Sequence, residues 1–188
     1  VYKVLINDEE VDFTPGGNGV VVLGPFENVK ENYHIKVIFE TQSTVLVHHY
    51  KEGTTEKLAE DVVMKDRIGN KYKATVSANV PEYYEAVGTP ANVTGFYTSD
   101  QTVVTFYYKL RKYTYDVNYL DKDTGENIKP TKVSTISYTY GTDVSLSNEK
   151  IDIVGYNYDH MDKNSMTIGV RDNVVNIYYA KRRDLTLT

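Results

Sequence analysis

The chain has 188 residues, a formal net charge of −5, 18 Tyr against 5 Phe, and neither Trp nor Cys. Without cysteine there is no disulfide, thiolate nucleophile or Cys-based metal site, and so modest an acidity argues against nucleic acid, which calls for a concentrated basic face. No run of about 18 apolar residues occurs, so nothing reads as a membrane-spanning helix, while Val, Thr and Tyr, which favour strands, outweigh Ala and Leu.

The chain opens at Val1 with no signal-peptide pattern and no initiator Met, and so reads as an excerpt of a longer protein. In residues 1–42, VYKVLINDEEVDF, a GGNGV turn and then GPFENVKENYHIKVIFE give three strand candidates. Asn18-Gly19 is a hairpin signal, since both residues tolerate positive φ. Some 40 residues seldom bury a core alone, so this stretch reads as the C-terminal half of a module.

From Ser43 onward the chain repeats itself. QTVVTFYYKLRK (Gln101–Lys112) and DNVVNIYYAKRR (Asp172–Arg183) share Val-Val, Tyr-Tyr and a basic finish, 71 residues apart. VLVHHYKEGTTEKL and YDVNYLDKDTGENI likewise run an alternating strand into a polar, Gly-containing turn, and Gly69 of RIGNKY is matched by Gly141 of TYGTDV. Tyr83 of VPEYY is set against Tyr156 of IVGYNY. A fixed period of this length marks stacked modules. The expected division is 1–42, a partial β module; 43–112 and 113–183, two copies of one repeat; and 184–188, the start of a following segment.

Period-two alternation assigns the strand faces. Val104, Phe106 and Tyr108 fall on one side, as do Val175, Ile177 and Tyr179, and these are the expected core. In the opening strands Val45, Val47 and His49 match Tyr115, Val117 and Tyr119. Helical periodicity is scarce. Leu58–Lys65 is the best candidate, and at most one short helix per module is expected. The joint Leu110-Arg111-Lys112 lacks Gly, Pro and Ser, so it is no flexible tether, and an elongated, stiff rod is expected.

Candidate chemistry is sparse. His48 and His49 are neighbours in a strand and point to opposite faces, so they cannot chelate one ion, and His34 and His160 lie in unrelated segments. Asp121 and Asp123 begin like a calcium loop, but Gly125 and Lys132 occupy the fifth and twelfth positions, where an EF-hand needs oxygen ligands. A turn shaped by Asp side chains is the better reading, and no cofactor is expected. A Lys–Asn isopeptide cross-link would need Lys, Asn and a carboxylate buried together, which spacing does not reveal. No nucleophile elbow, phosphate loop or zinc-protease motif is present, so an enzyme is not expected. The tyrosines carry the functional promise: Tyr50, Tyr107 and Tyr178 fall on the outward face, where a phenol offers a flat apolar surface and a polar tip to a sugar or a protein.

Taken in order, VNYLDKDTGENI, the GNKY turn at Gly69–Tyr72, the corners Pro81-Glu82-Tyr83 and Val154-Gly155-Tyr156, and TSDQTVVTFYYK resemble the mucin-binding (MucBP) repeats of Gram-positive surface proteins. The resemblance covers about Ser43 to Arg183. Met166 stands where the first copy has Gly95. FENVKENYHIKVIFE is similar to the tail of another bacterial surface module. The resemblance implies mainly β (α+β), ubiquitin-like β-grasp modules in tandem, on an extracellular protein attached to the cell wall. It also implies adhesion to host mucin, glycoprotein, glycan or matrix ligands. A monomer is expected, and the lack of a long apolar run argues for no membrane insertion in this stretch. The alternative is a structural stalk that projects a distal binding domain.

Overall fold

A computed structural model describes residues 2–16, 20–26, 30 and 32–183. The proposed Asn18-Gly19 turn and residues 184–188 lie outside them. Nineteen strands occur among the described residues. The N-terminal segment holds β1 (Lys3–Ile6), β2 (Glu9–Val11), β3 (Thr14–Pro15), β4 (Val21–Val22) and β5 (Ile35–Ile38). The first repeat holds β6 (Gln42–Lys51), β7 (Val62–Arg67), β8 (Lys71–Lys73), β9 (Tyr84–Ala86), β10 (Thr94–Phe96) and β11 (Thr102–Leu110). The second holds β12 (Lys112–Tyr113), β13 (Asp116–Asp121), β14 (Lys132–Val133), β15 (Tyr138–Thr139), β16 (Asp143–Ser145), β17 (Tyr156–Met161), β18 (Ser165–Thr167) and β19 (Val174–Lys181). No α-helix is found among the described residues, and a 3-10 turn spans Ser147–Glu149.

The chain divides into two compact units, residues 1–50, 59–77 and 88–106, and residues 51–58, 78–87 and 107–188. In the second unit a four-stranded sheet has the order β14-β13-β19-β17. Its central strands β13 and β19 are parallel, with Val117 opposite Val175 and Tyr119 opposite Ile177, and the outer pairs are antiparallel. A mixed sheet with the first and last strands parallel at its centre is the β-grasp arrangement the resemblance implies, here built without the helix. Alternation holds along both central strands: Tyr115, Val117, Tyr119, Val175, Ile177 and Tyr179 are all buried. Leu146 and Ile168, at the ends of the β16–β18 ribbon, close that core from the other side.

Beneath this sheet lies a polar cluster that spacing did not suggest, with Tyr115 and Glu149 buried and Lys132 at its exposed edge. Glu149 accepts hydrogen bonds from the Tyr115 hydroxyl at 2.7 Å and from Lys132 Nζ at 2.5 Å. Burial pushes the Glu149 carboxyl up, but the bonds from Lys132 and Tyr115 outweigh it and hold the group below its ordinary range. Burial first, and then the carboxylate beside it, carry the Tyr115 phenol well above its ordinary range.

The first repeat's sheet has the order β7-β6-β11-β9. In the first unit Val45, Val47, Val104 and Phe106 are buried, as the alternation requires, and His49 stacks on Phe106 at 5.6 Å. One expectation changes. Leu58–Lys65 forms no helix, because Val62–Arg67 pairs with β6 along Gln42–Val47, and an edge place for two β-branched valines outweighs a short helical pattern. VYKVLINDEEVDF supplies β1 and β2, joined by a tight hairpin turn at Asn7 (φ 53) and Asp8 (φ 70), both residue types that tolerate left-handed backbone.

Matching hydrogen bonds fix which residues correspond between copies. Gly69 N–H bonds Tyr97 O as Gly141 N–H bonds Ile168 O, and both glycines have positive φ. Arg111 N–H bonds Tyr83 O as Arg182 N–H bonds Gly155 O, and Tyr84 N–H bonds Pro81 O as Tyr156 N–H bonds Ile153 O. Tyr156 therefore corresponds to Tyr84, not to Tyr83, whose place Gly155 takes. Gly95 and Met166 do correspond, facing Tyr72 and Val144 across their ribbons.

Candidate functional site

Tyr107 leaves the sheet on the outward side of β11 and is 44% exposed. Beside it, Val87 N–H bonds the Tyr107 carbonyl at 2.8 Å, which brings an exposed valine to the same side. The third wall is the turn after β6. Its position is set by Glu52 N–H bonding Tyr108 O at 2.8 Å and by Lys51 N–H bonding Glu56 O at 3.0 Å. Thr54 tightens it, with Oγ1 donating to Lys51 O and accepting from Glu56 N–H. Gly53 takes φ +71 at its tip with no atom within 4 Å of the place a Cβ would occupy. Together Glu52, Gly53, Thr54, Thr55, Val87 and Tyr107 line an open groove of about 640 Å³. That volume lies in the range of small-ligand sites. An aromatic face and a valine form one side, and hydroxyls with one carboxylate form the other.

The second repeat places Tyr178 on the corresponding side of β19 and then covers it. The register of β17 against β19 shifts between Tyr158 and His160, and the bulge lays the His160 ring on Tyr178 at 4.5 Å and 12°. Lys122, equivalent to Glu52 in that its N–H bonds Tyr179 O, pairs with Asp159 at 3.0 Å. Hydrogen bonds from His160, then Lys122, hold the Asp159 carboxyl below its ordinary range. Tyr178 is consequently half-buried. Tyr50, in the first unit, is half-buried as well and stacks on His48 at 5.0 Å, whose Nδ1 lies 2.8 Å from Asp61 Oδ1. Of the three tyrosines named from sequence, Tyr107 lines an open groove, whereas Tyr178 and Tyr50 each lie against a histidine ring.

Asp121 Oδ1 accepts the backbone N–H groups of Asp123 at 2.9 Å and Thr124 at 3.2 Å. These bonds, that of Asp123 foremost, hold its carboxyl below the ordinary range. The carboxylate is spent on shaping the turn, and no group of three or more His, Asp or Glu suited to a metal ion occurs among the described residues.

The MucBP domain family model matches residues 44–109 and 116–180. Internalin J of Listeria monocytogenes serotype 4b (strain F2365) is 28% identical over 137 residues, which is 71% of this chain and 14% of that protein. Internalin J of Listeria monocytogenes serovar 1/2a (strain ATCC BAA-679 / EGD-e) is 32% identical over 88 residues, 45% of this chain and 10% of that protein. The chain therefore spans about a seventh or less of these curated relatives. Among solved structures, domains 3–4 of the Streptococcal High Identity Repeats in Tandem (SHIRT) of a cell surface protein align over 75% of this chain and 98% of theirs, at 12% identity and a TM-score of 0.30. Mub-RV aligns over 74% of this chain and 99% of its own, at 12% identity and a TM-score of 0.23.

Proposed function

Because this chain belongs to the MucBP domain family, carrying two copies in tandem, we propose that it is a non-enzymatic part of a bacterial cell-surface adhesin. On this reading its first repeat holds a saccharide of a host mucin or glycoprotein against Tyr107. The protein acts as a monomer outside the cell, attached to the wall. The observation that carries this is the contrast between copies. One sheet position holds Tyr in both, yet His160 and the Lys122–Asp159 pair close it in the second copy, while Val87, Gly53 and two threonines leave it open in the first. A phenol face suits the apolar face of a sugar ring, and Thr54, Thr55 and Glu52 supply hydrogen-bonding groups for its hydroxyls.

Titrating mucin glycopeptides against the fragment tests it. Tyr107→Ala should weaken binding at least tenfold with little loss of thermal stability, and Tyr178→Ala should leave affinity unchanged. Equal affinity of wild type and Tyr107→Ala would remove the groove from the reading.

A spacer role is the second reading, and the joint between copies favours it. Within the second unit Tyr83 stacks on Tyr140 at 4.2 Å and 8°, Glu82 pairs with Arg171 at 2.9 Å, and Arg111 Nε bonds the carbonyls of Glu82 and Tyr84. Absence of binding to any mucin glycopeptide, with this joint intact, would favour the spacer.

A further inference from the structure

The β8–β10 ribbon of the first repeat carries a surface that the fold does not require. Lys71 faces Phe96 across the ribbon and Lys73 faces Thr94. Side chains of directly paired residues share a face, so these four stand together on one side, and all four are exposed. The other side is structural: Tyr72 is buried, donates its hydroxyl to Asn92 O at 3.0 Å, and lies so close over Gly95 that an added Cβ would meet the phenol oxygen at 2.8 Å. Phe96 is 55% exposed with Lys71 Nζ 5.9 Å from its ring centre. Neither lysine forms an ion pair among the described residues, in a chain of net charge −5. The face borders an open groove of about 610 Å³.

The second repeat supplies the control. Its β16–β18 ribbon has the same pairing, but Asp143 and Thr167 replace Lys71 and Phe96, and Ser145 and Ser165 replace Lys73 and Thr94. Thr167 Oγ1 donates to Asp143 Oδ1 there, so that face satisfies itself. Two lysines and an exposed aromatic ring on one face are thus not needed to build the ribbon.

We infer that Lys71, Lys73, Thr94 and Phe96 form a second binding site, separate from the Tyr107 groove and independent of it, for a saccharide that bears an anionic group. The ring packs against the apolar face of the sugar. The ammonium groups, compact point charges on flexible stems, take a carboxylate or sulfate, and Thr94 meets a neighbouring hydroxyl.

Amide chemical shifts followed with lactose, 3′-sialyllactose and 3′-sulfolactose test the site, the last two distinguishing a carboxylate from a sulfate. One or both anionic sugars should shift Lys71–Lys73 and Thr94–Phe96 and bind at least tenfold more tightly than lactose, with affinity falling as salt rises. Lys71→Gln/Lys73→Gln should lose at least tenfold with an unchanged melting temperature, Phe96→Ala should lose a comparable amount, and Tyr107→Ala should lose none at this site. Lactose binding equally well, shifts in Asp143–Ser145 as large as those in the first ribbon, or full affinity in the double Gln variant would overturn it.

Discussion

The hydroxyl of Tyr115 reaches across the second repeat's core to Glu149 at 2.7 Å, and the same carboxylate holds Lys132. Glu149 has a folded-state pKa below its unfolded value. Its contribution to stability is therefore present above the unfolded pKa, about 4.3, and is lost as pH falls through the lower folded value. Tyr115 runs the other way. Its pKa is raised, so its contribution is full below about pH 10 and is lost as pH rises past it. Urea unfolding from pH 3 to 7 should show Glu149→Gln less stable than wild type by about 1–3 kcal/mol near neutrality, with the gap closing toward pH 3. A gap that stays constant over that range would mean the Glu149 carboxyl titrates alike in the folded and unfolded chain.

The adjacent tyrosines of β19 should respond unequally to truncation. Tyr179 is 1% exposed, and its hydroxyl donates to Ile151 O at 2.8 Å. Tyr179→Ala leaves a cavity and should cost about 3–5 kcal/mol. Tyr178→Ala gives up the ring contact with His160 and little more, so about 1 kcal/mol is expected. Denaturant midpoints of the two variants check the ratio, and equal losses would show β19 buried on both faces.

Tyr72 and Gly95 should behave as one unit. A methyl at residue 95 meets the Tyr72 ring at 2.8–3.0 Å, so Gly95→Ala should destabilise by about 1–3 kcal/mol through overpacking. The second copy fits Val144 against Met166 at the same places. In a Tyr72→Val background the Gly95→Ala penalty should therefore shrink or vanish, and a double-mutant cycle reads this directly. An unchanged penalty would place the strain elsewhere.

Chelator should leave the melting temperature alone. The Asp121 carboxylate already serves two backbone N–H groups, which shape the turn through the chain's own hydrogen bonds, and chelation destabilises only where an ion binds the native state preferentially. A fall of several degrees in EDTA, restored by calcium, would show that Asp121 and Asp123 hold a cation.

Strand faces were legible in the sequence because alternation is a local property. His49 and Tyr119, eight and four residues along quite different strings, went to the core on period alone, and both are buried. What escaped depended on distant partners. Val62 and Val63 looked helical until Val47 and Leu46 stood opposite them. Tyr107 and Tyr178 are identical in local sequence pattern, and a bulge in a strand some twenty residues earlier decides which one is covered. Likewise Lys71 and Phe96, twenty-five residues apart, meet only through the ribbon's register. Glu149 sits in a polar stretch, SNEK, that by itself reads as solvent-facing, and only Tyr115 and Lys132 account for its burial.

The parallel pairing of β13 with β19 also determines how the second repeat bears tension. The chain enters this sheet at Asp116 and leaves it at Lys181, at opposite ends of two strands that run the same way. A pull along the chain therefore slides one strand against the other. Every rung from Asp116–Val174 to Asp121–Tyr179 is loaded at once, in shear, and none can be peeled apart singly. The hydroxyl of Tyr179, tied to Ile151 beneath the sheet, must be dragged with its strand. A repeat built this way resists force through many bonds sharing the load, a property useful to any surface protein that must hold on under flow.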